Sequence, residues 1–258
     1  MSRTLAALAF FGWLALALVA APAPAQKPPP QKITPADPAS PAPAPQSRPG
    51  ASLLAEDKGK FRILLDGQPV GTEEFEISPQ GGAGAQQWTA RGNTDIRTPA
   101  GGAVQVTARL ELAPDGAPLR YEWTAQTQKK ASATVEFQGL TAKMSLQLEG
   151  AQPFVQSFTF SSPRVVILDN NLYHHYALLA RLYDWTVRGA QTFPVLIPQE
   201  MTPGTITAEA VGPQEVDGAA LELLRVRSAD LEINLYCDAR HRLVRLAVPD
   251  SKALVLRE

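Results

Sequence analysis

The stretch Val104-Gln-Val-Thr-Ala-Arg-Leu-Glu-Leu112 alternates without a break between apolar and polar side chains. Successive side chains of a β-strand point to opposite faces of the sheet, so this spacing predicts one dry face and one wet face. The dry face would carry Val104, Val106, Ala108, Leu110 and Leu112. A sheet that is wetted on one side favours antiparallel pairing, because parallel sheets are usually covered on both sides.

The same alternation recurs along most of the chain beyond residue 60. It is found in residues 119–125, 131–137, 142–148, 154–160, 206–210, 231–237 and 244–248. The runs are separated by turn signals such as Asp66-Gly67, Asp115-Gly116 and Asp217-Gly218, since glycine accepts a positive φ. Many short strands joined by tight turns predict a mainly β fold, an antiparallel meander that forms a curved sheet, a half-open barrel or a barrel.

Residues 172–186 depart from this alternation and follow helical spacing. One helix face would carry Leu172, His175, Tyr176, Leu179, Leu182 and Tyr183. Asp169-Asn170-Asn171 precedes the segment, and its side-chain oxygens are suited to capping the first turn, while Gly189 is a stop signal. One amphipathic helix among antiparallel strands would act as a plug or lid on a curved sheet, or would cover a sheet edge.

The N-terminal part of the chain has the composition of an export signal followed by a tether. Residues 1–25 combine Arg3, an uncharged apolar run and the small-x-small site Ala23-Pro24-Ala25, which predicts a cleaved signal peptide. Residues 26–57 are rich in proline and alanine, which predicts an extended, disordered tether. Residues 58–258 would then form a single antiparallel β domain. We expect a bacterial protein that is periplasmic or secreted, with no transmembrane domain after cleavage.

Charge and cysteine usage exclude several classes of protein. The formal net charge is −1 and no basic stripe is present, so we expect no nucleic-acid partner. The single cysteine, Cys237, cannot form an internal disulfide. It is in phase with Leu231, Ile233 and Leu235, which predicts a buried and unreactive thiol.

Several segments resemble uncharacterised exported bacterial domains. The first hairpin of those domains is similar to Phe61-Arg-Ile-Leu-Leu-Asp-Gly67 followed by Pro69-Val-Gly71 and Glu74-Phe75. Their closing hairpin resembles Asp238-Ala-Arg-His-Arg-Leu-Val-Arg-Leu-Ala-Val-Pro249, which precedes a short strand from Lys252 to Arg257. Leu168-Asp-Asn-Asn-Leu-Tyr-His-His-Tyr176 and Pro194-Val-Leu-Ile-Pro-Gln199 look like the middle of the same group. The resemblance covers about residues 58–258. It implies a half-open β-barrel around a helix, similar to periplasmic lipoprotein carriers and receptors, and no particular activity.

Motifs that would carry catalysis or bind a cofactor are absent from the sequence. Adjacent helical residues such as His174 and His175 diverge by about 100°, so the pair rarely binds one zinc ion, and we expect no metal site. Asp169 and Asp184 flank the helix and could serve as acid and base only if they met in space. No nucleophile elbow, dinucleotide fingerprint or phosphate loop is present. We therefore expect no catalytic residues and no cofactor.

Aromatic side chains crowd residues 173–193. Apolar walls with a few polar groups line small-molecule and lipid pockets, although aromatic residues also fill ordinary cores. The candidate ligand-binding residues are Tyr173, His175, Tyr176, Tyr183, Trp185 and Phe193.

Two functions of different classes fit these features. The first is a non-enzymatic envelope protein that binds an apolar or amphipathic ligand, a lipid or a lipidated or extended segment, in its curved sheet. The alternative is a structural module without a small-molecule ligand, which docks on another envelope protein through its sheet edges or its tether. A hydrolase is a third interpretation and requires His174, His175 or Asp184 to converge in a cleft.

Overall fold

A computed structural model of the chain describes residues 53–81, 87–97 and 101–258. The predicted signal peptide and nearly all of the predicted tether lie outside these ranges. The strands are β1 (Asp57–Leu65), β2 (Gln68–Gln80), β3 (Gln87–Arg97), β4 (Ala103–Leu112), β5 (Pro118–Gln126), β6 (Lys130–Gln138), β7 (Thr141–Leu148), β8 (Phe154–Thr159), β9 (Val166–Ile167), β10 (Gln191–Ile197), β11 (Thr202–Val216), β12 (Ala219–Arg227), β13 (Glu232–Cys237), β14 (Leu243–Val248) and β15 (Ala253–Arg257).

All of these strands belong to one sheet of 15 strands. Its order is β8-β7-β6-β5-β4-β3-β2-β1-β15-β14-β13-β12-β11-β10-β9. The first and last strands of the domain pair in the middle of the sheet, and each half is an up-and-down meander from there to its edge. The one parallel pair among the described strands is β9 with β10.

The two edge strands are close in sequence, which forces the sheet to curl. Only residues 160–165 separate β8 from β9. A segment of that length spans about 25 Å when extended, whereas 15 strands side by side in a flat sheet would hold their edges about 65 Å apart. The edges therefore approach each other, although β8 and β9 do not pair within the described ranges. The predicted curved antiparallel meander is confirmed.

Two of the predicted hairpin turns have the expected backbone geometry. Asp66 and Gly67 have φ values of 52° and 76°, and Asp217 and Gly218 have values of 52° and 79°. Positive φ at both central residues is the geometry of the type I′ turn, whose twist matches that of the flanking strands. These turns fix the β1–β2 and β11–β12 registers.

The described residues contain one α-helix, α1 (His174–Leu182), which is shorter than the predicted 172–186. Tyr183 is already extended, with ψ of 131°, so the predicted stop at Gly189 is wrong. Every residue from 174 to 180 is buried. The helix is therefore enclosed on all sides along most of its length, rather than wetted along one face, and it contacts β9, β13 and β14.

A largely buried ion pair joins the first and last strands. The Nη2 and Nη1 groups of Arg257 donate to the two carboxylate oxygens of Asp57 over 2.5 and 3.1 Å. Gly59 leaves room for this guanidinium, since a Cβ there would lie 2.9 Å from Nη2. The guanidinium also lies 5.3 Å from the centre of the Phe75 ring, which stacks on His174.

One position of the predicted dry face is not covered. Phe154 is in phase with buried Phe158, yet its side chain is 50% exposed. Within the part of the chain that the structure describes, its strand, β8, has a neighbour on one side only. Among the helices of the described part of the chain, none has both the length and the apolar character that a membrane crossing requires.

Candidate functional site

Five polar side chains lie buried where α1 meets the dry face of the sheet, and we call them the buried polar cluster. They are Glu73, Tyr121, Asp169, His174 and His175. Burying ionisable groups is unfavourable unless they are paired and hydrogen-bonded. Apolar packing alone therefore does not explain why these five residues occupy the dry face.

Glu73 of β2 caps the N-terminus of α1. Its Oε2 accepts hydrogen bonds from the backbone N–H groups of Tyr173 and His174, over 2.8 and 3.1 Å. Its Oε1 lies 2.5 Å from Nδ1 of His174, and this nitrogen carries the proton, because a carboxylate can only accept. A negative charge at a helix N-terminus satisfies free N–H groups and is favoured by the helix dipole.

The Asp169-Asn170-Asn171 segment does not cap the helix, so that prediction is wrong. No side chain at the N-cap position, Tyr173, makes a capping bond. Asp169 instead accepts hydrogen bonds from the Tyr121 hydroxyl and from the backbone N–H of Gln199, each over 2.8 Å. Burial raises the pKa of Asp169 from 3.8 to about 7, although these two bonds act in the opposite direction.

His175 is held as a neutral ring. Its Nδ1 accepts a hydrogen bond from the backbone N–H of Asp169 over 3.1 Å, so the ring proton is on Nε2. Burial, followed by the neighbouring His174, lowers the pKa of His175 well below 6.5. Burial, followed by the charge of Asp169, likewise raises the pKa of Tyr121 well above 10, so its hydroxyl remains a donor.

Gly92 of β3 provides the space in which the His174 ring lies. A Cβ at this position would come within 2.5 Å of Nδ1 of His174 and 2.8 Å of Oε1 of Glu73. The ring therefore packs directly on the backbone of the strand. Sheet and helix approach each other this closely only because residue 92 has no side chain.

Several buried polar atoms of this region have no hydrogen-bond partner among the described residues, and three of them bear on the cluster. These three are Nε2 of His174, Nε2 of His175 and Oγ1 of Thr94. Thr94 lies opposite Glu73 in the register of β2 and β3, and the two imidazole centres are 4.4 Å apart. With Nδ1 of His174 protonated, its Nε2 can accept in the neutral ring, whereas Nε2 of His175 can donate. Such orphaned groups are uncommon in native interiors.

The other end of α1 is bordered by an aromatic group. Trp185 donates from Nε1 to the carbonyl of Ala180 over 2.8 Å. Its ring stacks on His241, with centroids 4.2 Å apart, and meets Tyr183 edge to face at 5.1 Å. The Tyr183 hydroxyl accepts from the N–H of Ala210 over 2.9 Å. The helix is thus fastened to β11 and to the β13–β14 turn.

Five of the six predicted ligand-binding residues lie in α1 or next to it in the chain, and they divide between its two ends. Tyr173 and His175 belong to the polar end, Tyr183 and Trp185 to the aromatic end, and Tyr176 is almost fully buried between them. The last residue, Phe193, is half-buried on β10. Their role in ligand binding remains a prediction.

Asp184 does not join the histidines. It is exposed, and its Oδ1 accepts from the hydroxyl and N–H of Thr186. His174 opens α1, whereas Asp184 lies beyond the end of the helix. Asp184 therefore does not converge with His174 and His175 in one cleft. Within the described ranges, no group of three or more His, Cys, Asp or Glu side chains is arranged to hold a metal ion.

Glu73 and Tyr121 were missed as site residues from sequence alone. Glu73 is in phase with Phe75 and Ile77, and a charged residue at a dry-face position is the signal that could have identified it. Tyr121 carries no such signal, because a tyrosine on a dry strand face is common. The predicted burial of Cys237 is confirmed, and burial raises the pKa of its thiol to about 12.

A surface groove with a volume of 450 Å³ lies away from α1. It crosses the wet face of the sheet and is lined by polar and charged side chains such as Glu111, Arg120 and Lys143. None of the six predicted ligand-binding residues contributes to it.

A solved structure with a similar fold is that of a β-barrel-like protein of a domain of unknown function, DUF1849, from Brucella abortus. The TM-score is 0.53 at 10% sequence identity, over 81% of this chain and 97% of that one. The chain has a β-barrel-like fold. A DUF1329 family protein from Desulfovibrio piger gives a TM-score of 0.20 at 10% identity, over 79% of this chain and 82% of that one. This TM-score is too low to indicate a shared fold. No protein-family model and no curated protein matches the chain.

The carboxyl of Asp169 leads to a pH prediction for this β-barrel-like domain. Its folded pKa of about 7 lies above its ordinary value of 3.8, so it stabilises the fold below about pH 4 and loses that contribution as the pH rises through 7. The unfolding free energy of the wild type relative to Asp169→Asn should therefore fall between pH 4 and 8 and then level off. Urea unfolding across this range measures the difference.

Asp184→Asn is the matched control for this measurement. The hydroxyl and the N–H of Thr186 lower the pKa of Asp184, so its difference from the wild type should not change around pH 7. A difference between wild type and Asp169→Asn that stays constant from pH 5 to 8 would contradict the protonation of the buried carboxyl.

Proposed function

We propose that this chain is an exported, non-enzymatic protein of the bacterial cell envelope that binds an apolar or amphipathic ligand in its curved sheet. The ligand is a lipid, or a lipidated or extended segment. The helix α1 serves as the plug of this site, and the ligand occupies space that the plug gives up. The observation that carries the proposal is a helix buried on an apolar sheet face but fastened at its N-terminus through buried ionisable groups.

The energetics of the buried polar cluster support a plug that moves. Well-packed apolar side chains of similar volume are often as stabilising as a buried ionic contact, or more so. A permanent core element could be held equally well by apolar residues in place of Glu73, Asp169 and the two histidines. A few polar contacts hold the plug in its closed position. A ligand that competes for these contacts can therefore shift the equilibrium from the closed to an open position.

The chemistry of the site supports a largely apolar ligand with a small polar group. The dry face offers aliphatic and aromatic carbon, and its burial contributes about 25 cal/mol per Å². The unpartnered Nε2 atoms of His174 and His175 offer one acceptor and one donor. A hydroxyl group both donates and accepts, so an alcohol or glycerol-type head group would suit the pair.

Export to the periplasm or beyond is supported by residues 1–25, which have the charge, the apolar run and the small residues of a signal peptide. The following proline-rich residues would act as a spacer between the membrane exit and the domain. Cleavage after Ala25 predicts a mature chain that starts at Gln26, and its mass is checked in the experiment below.

Native mass spectrometry of the mature protein from periplasm tests the ligand. We expect an apolar species that co-purifies in near-stoichiometric amount and appears in an organic extract. Tyr176→Ala and Trp185→Ala should each lower its occupancy by at least about threefold, because each removes one large ring of the plug region. Tyr236→Ala is the matched control, since Tyr236 is a half-buried tyrosine of β13 that contacts Arg245 instead.

An empty protein, still empty after incubation with a total lipid extract, would contradict ligand binding. Equal losses in Tyr176→Ala and Tyr236→Ala would assign the effect to general destabilisation rather than to the site. Circular dichroism of each variant shows whether the fold is intact before the occupancies are compared.

The alternative is a partner-docking module without a small-molecule ligand, and the filled interior favours it. The helix occupies the dry face around the candidate residues, and the groove described above does not reach them. Crosslinking in the cell envelope distinguishes the two functions. A specific protein partner together with an empty domain would support docking.

A further inference from the structure

We propose that a second copy of this chain pairs with strand β8, edge to edge, around a two-fold axis at Gln156. β8 is six residues long, contains no charge and no proline, and among the described strands it hydrogen-bonds to β7 alone. This inference concerns the rim of the sheet and is independent of the ligand proposed for its dry face.

The β8 edge lacks the features that normally keep sheet edges apart. Natural edges carry charged residues, prolines or bulges, or they are very short. The opposite edge follows this rule, since β9 has two residues, both buried. On β8, Phe154 and Val155 are 50% and 53% exposed, one on each face of the sheet. β8 therefore offers both unpaired backbone groups and uncovered apolar surface.

The sequence of β8 is complementary to itself. Phe154-Val-Gln-Ser-Phe158 has phenylalanine at both ends and Gln156 at its centre. In an antiparallel pair, opposed residues share a face, so pairing Gln156 with its own copy sets Phe154 beside Phe158 of the second copy. The half-exposed Phe154 ring is then covered on the dry face. On the wet face, Val155 meets Ser157 of the second copy.

The neighbouring strand continues this match without opposing charges. In β7, Leu146 lies beside Phe154 and Ala142 beside Phe158. The paired dry face would read Leu146, Phe154, Phe158 and Ala142 across the two copies, all apolar. On the wet face, Lys143 lies beside Ser157. In the dimer this row of residues would continue through Val155 and Ser145 of the second copy. No like charges meet, and an isologous pairing of this kind closes as a dimer.

A pair of six-residue strands is a small interface, so we expect a weak dimer with a dissociation constant of about 10–100 μM. Cysteine crosslinking detects such a contact and also tests its register. Opposed residues of an antiparallel pair have Cα atoms about 4.5–5.5 Å apart, within the range that a disulfide spans. Gln156→Cys should therefore give a covalent dimer under mild oxidation. The buried Cys237 is common to all variants, and the wild type is the control for it.

The register predicts a second, more specific result. Val155→Cys alone should crosslink at least about tenfold more slowly than Gln156→Cys, because its own copy lies diagonally at about 7–8 Å. An equal mixture of Val155→Cys and Ser157→Cys should recover the rate, since these two positions face each other. Adding Phe154→Lys to Gln156→Cys should abolish the crosslink and shift sedimentation to the monomer, as a charge blocks edge pairing.

Sedimentation that remains monomeric up to about 500 μM, with no crosslink of Gln156→Cys above the wild type, would overturn the proposal. Equal rates for Val155→Cys and Gln156→Cys would also overturn it, because random collisions do not distinguish neighbouring positions. Both outcomes leave the ligand proposal untouched, since its readout is the occupancy of the dry face. Far-UV circular dichroism confirms that the variants are folded.

Discussion

Replacing Glu73 by alanine is expected to lower the free energy of unfolding by about 3–5 kcal/mol, because it leaves several buried hydrogen-bonding groups without a partner. The carboxylate accepts two backbone N–H groups of the first turn of α1 and faces Nδ1 of His174. Without it, all three groups are buried with no partner, and the helix loses the negative charge at its N-terminus. Urea unfolding at pH 7, followed by far-UV circular dichroism, measures the change.

The neighbouring residue provides the control. Glu74 points to the wet face and pairs with Lys60 on the surface, so Glu74→Ala should change the unfolding free energy by less than about 0.5 kcal/mol. Glu73→Gln should fall between the two variants, at about 1–2 kcal/mol, because its amide oxygen can still accept from the helix. Similar values for Glu73→Ala and Glu74→Ala would refute the capping role.

Replacing Gly92 by alanine is expected to destabilise the domain by about 3 kcal/mol, at the upper end of the range for overpacked cores. The new methyl group would lie 2.4 Å from Cε1 of His174 and 2.8 Å from Oε1 of Glu73. Neither neighbour can withdraw, because His174 is fixed by the helix and Glu73 by its bonds to the helix N-terminus. Equilibrium urea unfolding again gives the value.

Gly189→Ala is the matched control for this measurement. A Cβ at Gly189 meets nothing within 4 Å, so the substitution should stay within about 0.5 kcal/mol of the wild type. If Gly92→Ala changed the unfolding free energy as little as Gly189→Ala, the close approach of the His174 ring to β3 would be refuted. Hydrogen exchange of the α1 amides gives an independent check, since displacement of the ring should speed exchange in the first turn.

The strands and their turns were predictable because the signals that determine them are local. Side-chain alternation in residues 104–112 reports which face is dry whatever strand lies beside it. Asp66-Gly67 and Asp217-Gly218 specify their turns through backbone preferences that need no distant partner. The antiparallel class of the sheet and the burial of Cys237 followed from the same patterns.

The candidate site was only partly predictable, because its key contacts join residues far apart in the chain. Asp169 precedes the helix in sequence and has the side chain of a cap, yet Glu73, about a hundred residues earlier, makes the capping bonds. The competition between the two carboxylates is decided by which strand lies under the helix start. No local pattern contains that information. The length of α1 is likewise set where Tyr183 turns away to bond β11.

The sequence by itself determined a curved antiparallel meander with one helix, since periodicity and turn chemistry act over a few residues. Only the tertiary structure decided that α1 is buried on all sides, that Glu73, Gly92 and His174 meet, and that β8 is an edge strand among those the structure describes. These three features depend on how strands that are distant in sequence come together. The free energy that selects one arrangement comes from long-range contacts, which exist only in the folded chain.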